Sequence, residues 1–478
     1  MIISFVVSEV TPFSKTGGLA DVVGALPKVL SQIDNKLQII VFSPYYQMVK
    51  TSEQLKPEIQ LSVNLGNESK PINLYSKQIN NQIKFMFIGC DEYFDRPCLY
   101  GDEKGDYPDN AQRFILFSKA VLTSLVNLQI KPEILHCHDW QSALIPLFLK
   151  TIYAHQFPTT KSVFTIHNLG YQGIFSADVF PLMEIPNDIF SPQGIEYYGK
   201  INFLKAGIIY ADFVTTVSIT YAQEIQTPDK GFGLDGVLRE KNNKLMGILN
   251  GIDYEIWDPE SDKLISPNFN ISNISRKSIV KQKLYSELNL KDASRPLAGV
   301  ITRLAQQKGI DLIIDAIEPM IAFGINVIIL GKGDAQYEQR LLELKTKFPD
   351  NVSVILAFDE PLAHKIYAGS DFFLIPSQYE PCGLTQMIAL RYGAIPIGFR
   401  TGGLNDTIRD ISENPENGNG FLFKEYNTQA FLEKIKQAIT LFHNKRKWNK
   451  IVRQGMQEDF SWTRSAQKYL DLYQKLIS

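Results

Sequence analysis

The sequence predicts an α/β protein of two domains, each built on a parallel sheet. Three observations lead there. Strand-like and helix-like segments alternate along most of the chain, the pattern of βαβ units. At 478 residues the chain exceeds what one hydrophobic core supports. The hexapeptide Thr-Gly-Gly-Leu-x-Asp occurs twice, as Thr16-Gly17-Gly18-Leu19-Ala20-Asp21 and Thr401-Gly402-Gly403-Leu404-Asn405-Asp406. Each copy follows an apolar run and leads into a helix-like pattern, and a glycine pair there lets backbone N–H groups approach an anion. One such loop near each end predicts two α/β domains facing each other across a nucleotide-sized cleft. Lys15 adds a cation just before the first pair.

The elements follow in order. Ile2–Val7 reads as a strand, after which Leu19, Val22, Val23, Leu26, Val29, Leu30 and Ile33 share one helical face. Leu37–Phe42 and Ile83–Ile88 are strand-like, whereas residues 50–82 and 91–110 are polar, punctuated by Gly and Pro, and read as loops or excursions. Short strands follow at Ile134–His138, Ser162–His167 and the β-branched run Phe213–Ser218.

The second half keeps the same rhythm more cleanly. Strands are expected at Leu297–Thr302, Asn326–Leu330, Val352–Ala357, Phe372–Ile375 and Ala394–Gly398, with helices at about 310–323, 335–347, 361–369 and 385–392. Residues 255–295 are polar without β-periodicity and form the linker candidate, although Lys281–Leu290 is helix-like. The expected division is 1–247, 248–460 and a final helix 461–478.

Composition narrows the partners. A formal net charge of −2 with no long run of one sign argues against nucleic acid or an anionic membrane as partner. Cys90, Cys98, Cys137 and Cys382 show neither zinc nor redox spacing, which predicts reduced thiols. No leader precedes the first strand and no stretch is long enough to span a bilayer, so a cytoplasmic protein is expected, or a stromal one in a photosynthetic eukaryote.

The chemistry collects at strand ends. Arg303 and Lys308, in Arg-Leu-Ala-Gln-Gln-Lys-Gly, follow the first strand of the second half, where α/β folds bind ligands. Together they could neutralise a diphosphate, the Arg as a planar fork and the Lys as a point charge. Phe373–Ile375 leads into Pro376-Ser377-Gln378-Tyr379-Glu380-Pro381-Cys382-Gly383-Leu384-Thr385-Gln386, where a helix start offers N–H donors to a phosphate. Glu380 beside it reads in two ways, as an acceptor for sugar hydroxyls or as a structural helix-dipole carboxylate. His136 and His138 alternate on a strand with Cys137 opposite, and nothing supplies further zinc ligands at motif spacing. No two aspartates are separated by one residue, and the two Thr-Gly-Gly loops match neither G-x-G-x-x-G nor Walker A. No metal and no cofactor are therefore expected. Charge on a nucleotide diphosphate is left to Lys15, Arg303, Lys308 and helix termini.

Taken together, Lys15-Thr16-Gly17-Gly18-Leu19, Arg303 with Lys308, Glu380–Gln386 and Thr401-Gly402-Gly403-Leu404 resemble the family of bacterial glycogen synthases and plant starch synthases. His136–Trp140, His167-Asn168-Leu169-Gly170-Tyr171-Gln172-Gly173 and Leu249-Asn250-Gly251-Ile252-Asp253 fit the same family, in order along the chain. The resemblance implies a GT-B fold of two Rossmann-like domains, with the C-terminal helix crossing back to the first. It implies retaining transfer of glucose from ADP-glucose to the nonreducing end of an α-1,4-glucan. By the same resemblance Lys15, Arg303 and Lys308 surround the diphosphate, and Gly18 with Cys382, Gly383 and Leu384 contacts phosphate. His167, Asn250 and Glu380 address the glucose, Asp21 and Asp139 lie near donor and acceptor, and Asn168 and Thr401 join the substrate-binding set. Glu380, His167, Arg303 and Lys308 form the catalytic set. Many retaining GT-B enzymes carry a second Glu eight residues after the first; here Ile388 stands there, as the glycogen synthase branch would have it. The alternatives are another retaining GT-B transferase, using UDP-glucose or a different acceptor, and a sugar-nucleotide sensor without turnover.

Overall fold

The computed structural model describes residues 1–478. The chain forms two compact units, Met1–Asn250 with Trp462–Ser478, and Gly251–Ser461.

The first unit holds a nine-stranded sheet. Its strands in chain order are β1 (Ile2–Val6), β2 (Gln38–Pro44), β3 (Pro57–Leu65), β4 (Glu68–Gln78), β5 (Ile83–Gly89), β6 (Ile134–His138), β7 (Lys161–Ile166), β8 (Phe213–Thr216) and β9 (Leu245–Gly247). They lie in the order β9-β8-β7-β6-β1-β2-β5-β4-β3, parallel except for the β3–β4 hairpin at one edge. The central strands are buried along nearly their whole length, so they read as continuous apolar runs.

The hairpin corrects the expectation of loops over 50–82. Ile59, Leu61, Val63 and Leu65 alternate with polar residues, and the pair Leu65 and Glu68 encloses the two-residue turn Gly66-Asn67. An edge strand exposes one face and carries half the apolar residues of a central one, so its bulk polarity hides it.

The helix Gly18–Ile33 covers this sheet with the face foreseen from periodicity; Leu19, Val22, Val23, Leu26 and Leu30 are buried. The C-terminal helix Trp462–Ile477 packs on it. Trp462, Ala466, Tyr469, Leu470 and Tyr473 form its buried stripe at helical spacing. Burying each large side chain contributes about 1.5–3 kcal/mol, enough to hold a terminal helix on a unit far away in sequence.

The second unit holds a six-stranded parallel sheet of β10 (Leu297–Ile301), β11 (Asn326–Leu330), β12 (Val352–Ile355), β13 (Phe372–Ile375), β14 (Ile395–Phe399) and β15 (Phe421–Phe423), in the order β12-β11-β10-β13-β14-β15. Helices Ile310–Ala322, Ala335–Lys347, Glu360–Gly369 and Thr385–Arg391 connect the strands.

Residues 255–295 are not a linker. They are bound into this unit by polar side chains that the sequence presents as solvent-facing. Asp262 is buried and accepts from Tyr392 Oη at 2.6 Å, with His364 Nδ1 at 2.8 Å. Lys277 is buried, with Nζ donating to the carbonyls of Ala368 at 2.8 Å and Tyr392 at 2.9 Å. Lys281 pairs with Asp371 at 2.6 Å. Buried polar groups persist only with hydrogen-bond or ionic partners of this kind.

Candidate functional site

In each unit the strand order reverses at one point: between β1 and β6 in the first, and between β10 and β13 in the second. Loops leaving the carboxyl ends of strands at such a point run to opposite sides and leave a ligand-binding crevice. Most residues singled out from sequence fall on these loops or on those of the adjoining strands; Asn250 instead follows the edge strand β9.

In the second unit, β10 and β13 are neighbours, so the loops that follow them meet. Gln378 N–H donates to Gln307 O at 2.8 Å, and Gln307 Nε2 donates to Tyr379 O at 3.2 Å. Arg303 lies exposed on the first loop. Lys308 reaches Glu380, Nζ to Oε2 at 2.6 Å, and Ser377 Oγ donates to the same oxygen at 2.8 Å. Glu380 is buried, its side chain 11% exposed against 21% for Lys308. One spot thus presents a cation beside a hydrogen-bonded carboxylate. Ser377 was not singled out from sequence; its only signal was its position three residues before Glu380.

The turn after Glu380 is held from below by Gln386. Its Nε2 donates to Cys382 O at 3.0 Å, Gly383 O at 2.7 Å and Thr407 Oγ1 at 3.1 Å. Gly383 has φ of +69°, and a Cβ there would lie 2.4 Å from Gln386 Oε1, so glycine is required. Leu384 immediately precedes the helix Thr385–Arg391, and Ile388 on that helix is buried.

In the second Thr-Gly-Gly-Leu copy one glycine N–H is used within the protein. Thr401 precedes the short helix Gly402–Thr407 and is buried. Gly403 N–H donates to Glu380 O at 3.0 Å, and a Cβ on Gly403 would lie 1.9 Å from Cys382 O. These glycines let the helix close on the Glu380–Cys382 backbone. The Gly403 N–H is spent on protein rather than left for an anion.

In the first unit, Gly18 opens the helix Gly18–Ile33, and Asp21 in its first turn pairs with Lys15, Nζ to Oδ1 at 2.7 Å. Glu9, buried just beyond β1, was missed. Thr16 Oγ1 donates to Glu9 Oε2 at 2.8 Å, and the N–H groups of Thr16 and Gly17 also donate to this carboxylate. Burial pushes the Glu9 pKa up, against the pull of those hydrogen bonds. Part of the glycine loop therefore serves an internal carboxylate, for which residue spacing offered no signal.

Strands β6 and β7 are also neighbours, and their exits bring His138, Asp139 and His167 together. Asp139 sits at φ +54°, a strained conformation for a residue with a Cβ. Its Oδ1 accepts the His167 N–H at 2.7 Å, and it also takes the Asn168 N–H. Burial lifts its pKa to about 7, opposed by those two bonds. His167 Nε2 lies 2.9 Å from His138 Nδ1. Burial pulls the His167 pKa down to about 3, so the ring is neutral. Asn168 Oδ1 accepts the Gly170 N–H at 2.9 Å, closing the turn after His167. Asn250, the last residue of its unit before the crossing, is buried with Oδ1 unpartnered. His136 is a satisfied core histidine, Nδ1 at 2.6 Å from Tyr473 Oη and Nε2 at 2.6 Å from Thr165 Oγ1. No group of three or more His, Cys, Asp or Glu side chains is arranged to hold a metal ion. No helix is long and apolar enough to cross a membrane.

Comparison with known proteins follows the same division. Residues 2–240 match the family described as starch synthase catalytic domain, and residues 282–455 match glycosyl transferases group 1. The chain is 44% identical over 477 residues to a glycogen synthase of Koribacter versatilis, covering 99% of this chain and 98% of that protein. It is 45% identical over 484 residues to a glycogen synthase of Geotalea daltonii, covering 100% and 99%. Among solved structures it matches the catalytic domain of starch synthase IV from Arabidopsis thaliana, bound to ADP and acarbose, with TM-score 0.92 and 34% identity over 100% of this chain and 99% of that one. A sucrose-phosphate synthase from Thermosynechococcus elongatus matches at TM-score 0.62 and 16% identity, covering 99% and 98%, a likeness of fold alone.

Proposed function

The chain belongs to the glycogen and starch synthase family of GT-B glycosyltransferases, and we infer that it transfers glucose from ADP-glucose to the nonreducing end of an α-1,4-glucan, with retention, releasing ADP. One observation carries the residue assignment: the Lys308–Glu380 ion pair at the reversal point of the second unit's sheet. It sets a cation fit for a phosphate next to a carboxylate fit for sugar hydroxyls.

In this reading Lys15, Arg303 and Lys308 neutralise the diphosphate, with backbone groups at Gly18 and at Cys382, Gly383 and Leu384 on its oxygens. Thr401 belongs to the same substrate-binding set. Glu380, His167 and Asn250 orient the glucose, while Asp21, Asp139 and Asn168 shape the loops that carry Lys15 and His167. The acceptor hydroxyl attacks the anomeric carbon on the face from which the diphosphate departs. The C1–O bond to phosphate breaks, the new glycosidic bond forms, and the leaving phosphate oxygen takes the hydroxyl proton. Glu380 stabilises positive charge developing on the sugar and stays free of covalent attachment. Positioning and electrostatics supply the rate. The presence of Ile388 in place of a second carboxylate supports a front-face route over a two-carboxylate one.

The reading needs no metal ion and no cofactor, because three cations and the loop N–H groups meet the diphosphate charge. It involves neither nucleic acid nor membrane, and it places the enzyme in the cytoplasm, where four free cysteines stay reduced. Side-by-side turnover with ADP-glucose and UDP-glucose, with and without glycogen, tests it. Glycogen-dependent ADP release with ADP-glucose as the better donor is expected. A preference for UDP-glucose would favour the alternative transferase, and binding without turnover would favour a sensor.

A further inference from the structure

His138 and His167 occupy the exits of adjacent parallel strands, in register through His138 opposite Thr165. His138 is fully buried, while His167 is half-buried. Their rings meet Nδ1 to Nε2 at 2.9 Å. Burial holds both imidazoles neutral, so one ring donates and the other accepts. The remaining nitrogen of His138, Nε2, is buried with no partner. A proton there would be an orphaned buried N–H, the rarest kind of unpaired polar group. The proton therefore sits on Nδ1 of His138 and is donated to Nε2 of His167. His167 in turn carries its own proton on Nδ1.

The surroundings hold this arrangement still. The ring of His136 packs against His138 with centroids 4.1 Å apart, and both His136 nitrogens are already used. The backbone of His138 is fixed on both sides by Ser142, which accepts its N–H at 2.7 Å and donates to its carbonyl at 2.8 Å. Asp139, the next residue, grips the backbone N–H of His167. Two consecutive residues thus hold His167 at two points, ring and main chain.

We propose that His138 is a positioning residue for glucosyl transfer, which fixes His167 in its Nδ1–H form and so presents a hydrogen-bond donor, rather than an acceptor, to an oxygen of the donor sugar. The assignment rests on the reading that His167 addresses glucose. The other tautomer would present a lone pair to the same oxygen, so a hydroxyl there would have to reverse and donate to the ring, and an ether oxygen would lose the contact, without any change of residue at position 167. The logic is that of an outer partner setting which histidine nitrogen is protonated.

The test uses the full chain labelled with ¹⁵N-histidine; with six histidines the imidazole spectrum is sparse. A His167→Gln variant identifies the His167 signals. Two substitutions of His138 follow: Asn, whose amide N–H falls where Nδ1–H stood, and Leu, which has no donor. His167 in the unmutated chain is expected to be protonated on Nδ1. In His138→Leu that proton should shift to Nε2 or become mixed, with kcat falling about 10–100-fold and KM for ADP-glucose changing far less. His138→Asn should restore both the Nδ1–H signature and most of kcat. Protonation of His167 on Nε2 in the unmutated chain overturns the inference, and so does His138→Leu with unchanged tautomer and kcat. The first measurement needs no variant at position 138, so a Leu variant that fails to fold leaves it decisive. Absence of transfer in the unmutated chain would defeat the functional reading alone; Nε2–H on His167 in an active chain would defeat this inference alone.

Discussion

Lys308 Nζ and Glu380 Oε2 lie 2.6 Å apart, although the residues are 72 positions apart in the chain. Their meeting follows from topology: β10 and β13 adjoin at the reversal point, so one loop brings the cation and the other the carboxylate. The pair is partly enclosed, which makes it stronger than a surface ion pair. In the proposed reaction the pair would couple two roles, since a change at Glu380 alters what Lys308 can offer a phosphate.

Lys15 is more than half exposed and pairs with Asp21 on the first turn of the following helix. Lys15→Ala is expected to leave the thermal transition nearly unchanged. It should weaken donor use by ~1.5–3 kcal/mol, the worth of one charge-assisted contact. Steady-state kinetics with ADP-glucose checks this, and wild-type constants would remove Lys15 from the site.

Asp139 has its pKa raised by burial to about 7, from an ordinary 3.8. Its ionised form is the better acceptor for the N–H groups of His167 and Asn168. We expect kcat/KM to rise with pH through an apparent pKa near 7. His138 and His167 stay neutral throughout and add no limb there. Asp139→Asn should abolish that limb. The stability effect has the opposite sign. Between about 3.8 and about 7 the fold keeps a proton that the unfolded chain loses, so this group favours the fold at acid pH and the benefit fades as pH rises through about 7. A profile with the same limb in Asp139→Asn would assign it to another group.

Tyr473 on the C-terminal helix reaches His136 Nδ1 at 2.6 Å, both side chains buried. Tyr473→Phe keeps the packing and leaves a buried nitrogen unpaired, at a cost of about 1–3 kcal/mol. Calorimetry should show a transition several degrees lower. An unchanged transition would mean that the hydroxyl contributes nothing to docking this helix.

Activity should persist after exhaustive EDTA treatment, because the diphosphate charge is assigned to Lys15, Arg303 and Lys308. Loss of turnover that returns with Mg²⁺ or Mn²⁺ would contradict that assignment.

Much of the fold is legible in the residues because buried parallel strands write themselves as apolar runs. Asn326–Leu330 and Phe372–Ile375 begin and end in the structure where the sequence places them. The hairpin β3–β4 was not seen because an edge strand is half polar, yet Ile59, Leu61, Val63, Leu65 and Gly66-Asn67 carried its signal. Lys277 and Lys281 disguised a packed segment as a linker, since a buried lysine is visible only through its partners. In the site, residues in contiguous motifs stood out. Contacts between loops did not: Glu9 under the glycine loop, Ser377 on Glu380, and His138 on His167, 29 positions away, exist only once neighbouring strands set them side by side.

In the proposed reaction Glu380 serves the sugar and not the diphosphate. That role is tested most directly by measuring kcat and ADP affinity together on Glu380→Ala. We expect kcat to fall by orders of magnitude while ADP binds as before, or more tightly, because Lys308 loses its internal partner. Unchanged turnover, or loss of ADP binding in step with loss of rate, would contradict it.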